Sequence, residues 1–255
     1  MQEKLDLKTT KLAFKILRRN YGCPGADGLS IKDIKANYDF HQSIVVEKYT
    51  NSDINKLPIK QVEIIDFAGK KRKIYVYCLY ERWLQLIIKL QIEFIVEKLL
   101  PEYVFGYRRG KDMSSLQKYI LSKDSSHVLY CDIVNYFENI DTNILLIQLE
   151  KILREDKGLI KKIRLSVEGF HSGLSAGNAL STILSNVYLS NIDKYYSKNY
   201  ARFSDDMYFA TNSINQVNTI KNRLVQQLAD LGLDLNTDKF KVVDVKEFQA
   251  QCFNC

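Results

Sequence analysis

A chain of 255 residues with 46% hydrophobic residues, 26% charged residues and only 3 prolines is composed like a folded globular protein, which excludes disordered, collagen-like and low-complexity classes. With 37 Lys+Arg against 30 Asp+Glu the net charge is +7, a balance that suits a polyanionic partner. No apolar run reaches the ~20 residues of a membrane span; with no secretory signal pattern and five scattered cysteines, the expectation is a soluble cytoplasmic protein with no membrane partner.

Residues 2–20 set Leu5, Leu7, Leu12, Ile16 and Leu17 at helical spacing among lysines and arginines, which predicts an amphipathic helix with a basic face ending at Asn20-Tyr21-Gly22. Cys23-Pro24-Gly25-Ala26-Asp27-Gly28 reads as a loop that uses positive φ more than once, and Ser30 is placed to cap a helix from Ile31. From Leu57 to Leu79 the pattern alternates. Val62, Ile64 and Phe67, then Ile74, Val76 and Cys78, flank Ala68-Gly69-Lys70 and predict a β-hairpin. Its second strand is entered by Lys70-Lys71-Arg72-Lys73, four cations that suit a solvated edge or a clamp on phosphates. Glu81 to Leu100 predicts a buried helix.

Phe105-Gly106-Tyr107-Arg108-Arg109-Gly110-Lys111-Asp112 is a glycine-flanked basic loop before a helix from Met113 to Leu121, an arrangement that lets backbone approach an anion. A short strand from His127 to Tyr130 leads to Asp132 at its C-terminal end, and residues 142–168 form charged helices. Phe170 to Ser181 is a small-residue loop opening a long helix, Leu180 to Tyr196, where Gly177 and Asn178 leave room for a base and sugar. Tyr200-Ala201-Arg202-Phe203-Ser204-Asp205-Asp206-Met207-Tyr208-Phe209-Ala210 predicts a second hairpin, with the acid pair in its turn, pushed into solvent. Adjacent carboxylates favour a cation between them, and Mg²⁺ takes one or two carboxylates plus phosphate oxygens; the plain alternative is a solvated turn. A helix from Ile214 to Leu231 and the stretch Leu233-Asp234-Leu235-Asn236-Thr237-Asp238-Lys239 follow. Cys252-Phe253-Asn254-Cys255 has zinc-knuckle spacing without a second ligand pair.

Taken in order, these stretches resemble reverse transcriptases, above all the bacterial group II intron, retron and abortive-infection types, from Asn20 to Lys241. The loop ending Asp27-Gly28 looks like the one that begins these enzymes. Arg72-Lys73-Ile74-Tyr75-Val76-Tyr77 with Glu81-Arg82 and Gln85 is similar to their first fingers motif, and Phe105 to Gly110 to the second. Asp132 with Phe137, Gly173 to Leu189, Asp205-Asp206 and Lys239 resemble four successive palm motifs. The resemblance implies an α+β right-hand polymerase palm, an antiparallel sheet with helices behind it, plus fingers. Fingers are expected at 1–84 with a second segment at 142–172, and palm at 85–141 and 173–255.

It also implies nucleotidyl transfer with two Mg²⁺ ions, Mn²⁺ being an alternative, held by Asp132 and Asp205 with Asp206 and the Ile133 carbonyl in support. Arg72, with Lys73 or Arg109, would hold the dNTP triphosphate, and Lys239 would protonate the leaving pyrophosphate. Phe137, five positions after Asp132, would exclude a ribose 2′-hydroxyl. Two departures stand out: Ala176 replaces a glutamine common in the family, and Ser204 precedes the paired acids as in defence-type relatives. With sixteen residues after Lys239, the thumb is expected to be missing or minimal, its grip supplied by a protein partner, a second copy or a structured RNA. The implied function is RNA-directed DNA synthesis on an RNA template or a dedicated non-coding RNA, from a primer to a DNA product, in a bacterial anti-phage or retron-like system. A template-independent or protein-primed polymerase and a catalytically silent scaffold remain open.

Overall fold

The computed structural model describes residues 5–19, 24–54, 59–65, 69, 71–154, 156–168 and 173–253. The expected Gly22-Cys23 turn, Ala68 and Lys70 of the first hairpin, Phe170 to Ser172 and Cys255 lie outside the described residues.

The elements run α1 (Leu7–Leu17), α2 (Ile31–Ala36), α3 (Tyr38–Thr50), β1 (Ile59–Ile65), β2 (Lys71–Tyr77), α4 (Leu79–Leu99), α5 (Met113–Leu121), β3 (His127–Cys131), α6 (Tyr136–Asn139), α7 (Thr142–Leu153), α8 (Lys157–Val167), α9 (Ser181–Tyr188) and α10 (Ser190–Tyr195). They continue through β4 (Tyr200–Phe203), β5 (Asp206–Thr211), α11 (Ile214–Ala229), a 3₁₀ turn (Thr237–Lys239), β6 (Lys241–Asp244) and α12 (Val245–Phe253). Two compact units result: residues 1–95 with 146–183, and residues 96–145 with 184–255. Residues 85–95 and 173–183, expected with the palm, group with the first unit.

In the first unit α4 repeats apolar residues at helical spacing, and Trp83, Leu84, Ile87, Ile88 and Ile92 are fully buried. Trp83 packs on Phe14 of α1 and Tyr38 of α3, with ring centroids 4.8 and 5.8 Å apart, and donates its indole N–H to the Thr10 carbonyl. Ser30 and Asp33 form a reciprocal capping box on α2, as the serine predicted. β1 and β2 pair antiparallel from Ile59 opposite Tyr77 to Ile65 opposite Lys71. This ribbon departs from the predicted alternation at its far end, where Ile64, Ile65, Arg72 and Lys73 are all exposed.

The second unit is built on an antiparallel sheet in the order β4-β5-β3-β6. Val128 and Ala201 on one face pack with Leu116 and Ile120 of α5 and Phe248 of α12. Leu129, Cys131, Met207 and Phe209 alternate onto the opposite face and are buried there. The predicted helix from Leu180 to Tyr196 is corrected to two, because Leu189 leaves helical geometry (φ −89°, ψ 0°) and redirects the chain into α10. The sequence pattern assigned no element after Lys239; β6 extends the sheet on β3, and α12 covers its face. Among the described residues no helix is long and apolar enough to cross a membrane.

Candidate active site

Asp132 follows the last residue of β3 and is 4% exposed. The Leu233–Lys239 stretch docks beside it, with Ile133 bridged to Leu235, Asn236 N–H donating to the Asp132 carbonyl (2.8 Å) and Val134 N–H donating to the Asp234 carbonyl (2.9 Å). This pairing brings Lys239 to the acid: Nζ lies 2.5 Å from Asp132 Oδ2, while the Ile133 N–H donates to Oδ1 at 2.9 Å. The Lys239 ammonium is held more firmly protonated than an ordinary lysine by that hydrogen bond, against a smaller opposing effect of burial.

The β3–β5 register sets Cys131 opposite Met207, so Asp132 and Asp206 stand at the same end of the sheet. Phe203 pairs with Asp206, leaving Ser204-Asp205 as a two-residue turn with Ser204 at φ +59°. The expectation of an acid pair pushed into solvent is corrected here. Asp205 and Asp206 are half-buried, because the turn folds against Asp132 and the loop before α5, and Asp206 belongs to the strand rather than the turn. Burial pushes the Asp205 carboxyl up to about 6, helped by its hydrogen bond and like charge with Asp132 and opposed by the Ser204 hydroxyl. Asp206 is raised by burial, and the Tyr130 hydroxyl, donating at 2.7 Å, opposes the rise.

Asp132, Asp205, Asp206 and Lys239 are thus brought together within one unit. Among the described residues no three His, Cys, Asp or Glu side chains form a ready metal-holding group. The donor chemistry nonetheless fits a hard divalent cation. The Lys239 ammonium already sits on Asp132, whose like charge helps raise Asp205, and a divalent cation would relieve the same repulsion.

Phe137 is half-buried on α6, set edge-on to Tyr107 (6.2 Å between centroids, 88°) and to Tyr136 (5.6 Å). The Ser204 hydroxyl donates to the Tyr107 oxygen at 3.1 Å, which links this aromatic group to the acidic turn. Of the two arginines before α5, Arg108 is internal, forking onto Glu97 and donating to the Pro101 and Val104 carbonyls, whereas Arg109 is exposed. Gly106, read as room for a ligand, instead makes room for protein: a Cβ there would overlap the Ser204 backbone nitrogen.

Arg72, Lys73, Gly177 and Asn178 belong to the first unit. Arg72 and Lys73 extend from the exposed end of β2. The space beside Gly177 is filled by the Tyr75 carbonyl, and the Tyr75 N–H donates to the Ala176 carbonyl at 2.9 Å. Asn178, expected at the substrate, is buried, donates to the Ser166 carbonyl at 2.8 Å and accepts from the Leu180 N–H at 2.9 Å, which braces the loop before α9.

Sequence reading missed Tyr130, Asn236 and the buried Asp193–Arg202 pair. A legible signal existed for Arg202, a charge in the middle of the apolar run Tyr200–Phe203 that burial obliges to find a partner.

A reverse transcriptase (RNA-dependent DNA polymerase) family profile matches residues 55–252. The chain is 24% identical to the COX1/OXI3 intron 2 protein of Saccharomyces cerevisiae over 95% of its own length and 29% of that protein's. It is 21% identical to protein YkfC of Escherichia coli over 76% of its own length and 55% of that protein's, so it spans only part of either relative. In fold it is similar to telomerase from Candida albicans in complex with a fragment of telomeric RNA (TM-score 0.58, 15% identity, 84% of this chain and 46% of that one). It is also similar to apo telomerase from Candida tropicalis (TM-score 0.54, 13% identity, 90% and 53%). With its mixed helix and antiparallel-sheet architecture and a family match over most of its length, the chain belongs to the reverse transcriptase (RNA-dependent DNA polymerase) family.

Proposed function

We propose that the chain catalyses RNA-templated addition of deoxynucleotides to a primer 3′ end. The observation that carries this reading is the convergence at one end of the sheet of Asp132, which follows β3, with Asp205 and Asp206 of the β4–β5 hairpin and with Lys239, whose Nζ lies 2.5 Å from Asp132 Oδ2. Carboxylates brought together from separate strands, with Asp206 and a lysine beside them, form the donor set that phosphoryl transfer uses. Asp132 and Asp205 would hold two Mg²⁺ ions, or Mn²⁺ in their place, with Asp206 and the Ile133 carbonyl in support. When bound, such ions activate the primer hydroxyl and stabilise charge on the leaving pyrophosphate.

The remaining roles belong to the chain's own groups. Lys239 is protonated and beside Asp132, placed to give a proton to a departing phosphate oxygen. Phe137 sets a bulky ring, braced by Tyr107 and Tyr136, where a sugar 2′-position is to be excluded. Arg72, Lys73 and Arg109 are assigned to the triphosphate as exposed cations of the first strand pair and the glycine-flanked loop. RNA is the proposed template: a telomerase of similar fold is bound to telomeric RNA. We further infer a setting with a dedicated non-coding RNA in a defence-type or retron-like system, on the strength of Ser204 and Ala176.

Primer extension tests the reading. With poly(rA), oligo(dT), dTTP and Mg²⁺, the wild type should extend the primer, and Asp132→Asn and Asp205→Ala should each reduce extension at least a thousandfold. Arg72→Ala should raise the KM for dTTP while leaving kcat within a few-fold. Extension that is equal without template would replace templated synthesis by template-independent addition. No extension by a folded wild-type protein with either Mg²⁺ or Mn²⁺ would leave a nucleic-acid-binding scaffold.

A further inference from the structure

Beneath the acidic turn lies a charged network that the proposed chemistry does not touch. Arg202 and Asp193 are both fully buried, and they pair through two parallel bonds, Nε to Oδ1 at 2.8 Å and Nη2 to Oδ2 at 2.6 Å. The Tyr200 hydroxyl donates to the same Asp193 Oδ1 at 2.9 Å. The remaining arm of the guanidinium, Nη1, donates to the Asn186 side-chain oxygen at 3.0 Å and to the Ser204 carbonyl at 2.7 Å. Asn186 in turn donates to the Gly106 carbonyl at 2.9 Å, and Gly106 lies directly against the Ser204 backbone. Burial works against the Arg202 charge, and Asp193 outweighs it, so the guanidinium stays charged.

A buried ion pair is weak evidence for stability, since apolar residues of similar volume often do as well. What apolar residues cannot do is hold a backbone carbonyl in a strained place. Ser204 is a non-glycine residue in the left-handed region at φ +59°, a conformation that persists where its surroundings over-determine it. Arg202 supplies such a determinant from below, and the Gly106 backbone supplies another from the side.

We propose that Arg202, itself held by Asp193, is a positioning residue that clamps the Ser204 carbonyl and thereby aims Asp205 at Asp132. It touches no reacting atom. Its part in catalysis rests on the polymerase reading, whereas its effect on the turn does not. Lysine cannot reproduce the clamp, because one ammonium cannot keep two bonds to Asp193 while also reaching Asn186 and Ser204.

The test compares the wild-type chain with Arg202→Lys by amide hydrogen exchange and by single-nucleotide addition. The expected result is exchange at residues 203–206 at least tenfold faster, with His127–Cys131 unchanged, and kcat down at least tenfold with the dNTP KM within twofold. Wild-type exchange at 203–206, or equally faster exchange through all four strands, overturns the proposal. Should Arg202→Lys not fold, the double variant Arg202→Met with Asp193→Leu removes both buried charges at once, and the same local exchange pattern decides. Failure of both variants to fold overturns it in favour of a general stabilising pair. A wild type that folds but adds no nucleotide defeats the polymerase reading alone, since the exchange comparison still decides whether the clamp exists.

Discussion

Lys239 and Asp132 are joined at 2.5 Å although 107 positions separate them in the chain, and the lysine's side chain remains 56% exposed while the aspartate's is 6% exposed. A pair so open on one side contributes little to folding, ~1 kcal/mol or less. Its value lies in keeping an ammonium beside a buried carboxylate. Lys239→Gln should therefore melt within a few degrees of the wild type, while the single-turnover rate of nucleotide addition falls by roughly a hundredfold, the usual contribution of a positioned acid. Rates measured from pH 6 to 10 should also lose any fall at the alkaline end, since the group that would deprotonate there is gone. A variant with the wild-type rate at every pH would remove Lys239 from the chemistry.

Asp205 carries a testable cost. Burial pushes its carboxyl up to about 6 in the folded chain, from about 3.9 when unfolded, so between those values the folded state binds more protons. Stability from this group is thus present at low pH and is lost as pH rises through the window. At pH 7.5 with EDTA, Asp205→Asn should be more stable than the wild type by ~1–2 kcal/mol, less than the full shift because the carboxyl keeps some solvent. The advantage should vanish below about pH 4, where both states are protonated. Added Mg²⁺ should then raise the melting temperature of the wild type and leave the variant unmoved, because only a ligand that binds the folded state stabilises it. Calorimetry across pH, with and without the ion, checks each step.

What the sequence made legible were the local elements. The alternation around Asp205-Asp206 and the apolar strand before Asp132 are both present, because strand period and turn chemistry act over a few residues. The half-burial of the acids was not legible, since it depends on a turn folding onto chain segments from far away. Nor was the kink at Leu189, which no proline or glycine marks. β6 and α12 escaped because Lys241–Asp244 and the residues after it carry too weak a pattern, and they gain their places by pairing with β3 and joining the Phe248 core. At Gly106 and Gly177 the missing side chain is legible, but what comes close is not, because a small residue permits close approach and the neighbouring backbone at both positions is a tertiary matter.

Phe137 separates sugar selection from packing. Its ring rests edge-on against Tyr107 and Tyr136 and stays partly open, so it is neither sealed in the core nor loose on the surface. Phe137→Val shortens that ring and should cost ~1–2 kcal/mol in stability, less than truncating a fully buried aromatic. With the block removed, the ratio of rNTP to dNTP incorporation, as kcat/KM, should rise at least tenfold. An unchanged ratio in a folded variant would reduce Phe137 to a packing residue.

Gly177 decides whether the loop before α9 is shaped by protein or by ligand. Its φ of +112° suits glycine alone, and a side chain would overlap the Tyr75 carbonyl, which the Tyr75–Ala176 hydrogen bond holds in place. Gly177→Ala must strain this conformation and push β2 away from the loop as well, at a combined cost of ~3 kcal/mol. Gly110→Ala is the control: φ is +69° with open space around it, so only the backbone penalty of ~1 kcal/mol applies. Urea unfolding of the two variants should therefore differ clearly in midpoint with the same slope. Equal midpoints would show that the loop lifts off Tyr75 without loss, and an approaching nucleotide rather than the neighbouring strand would then account for the glycine.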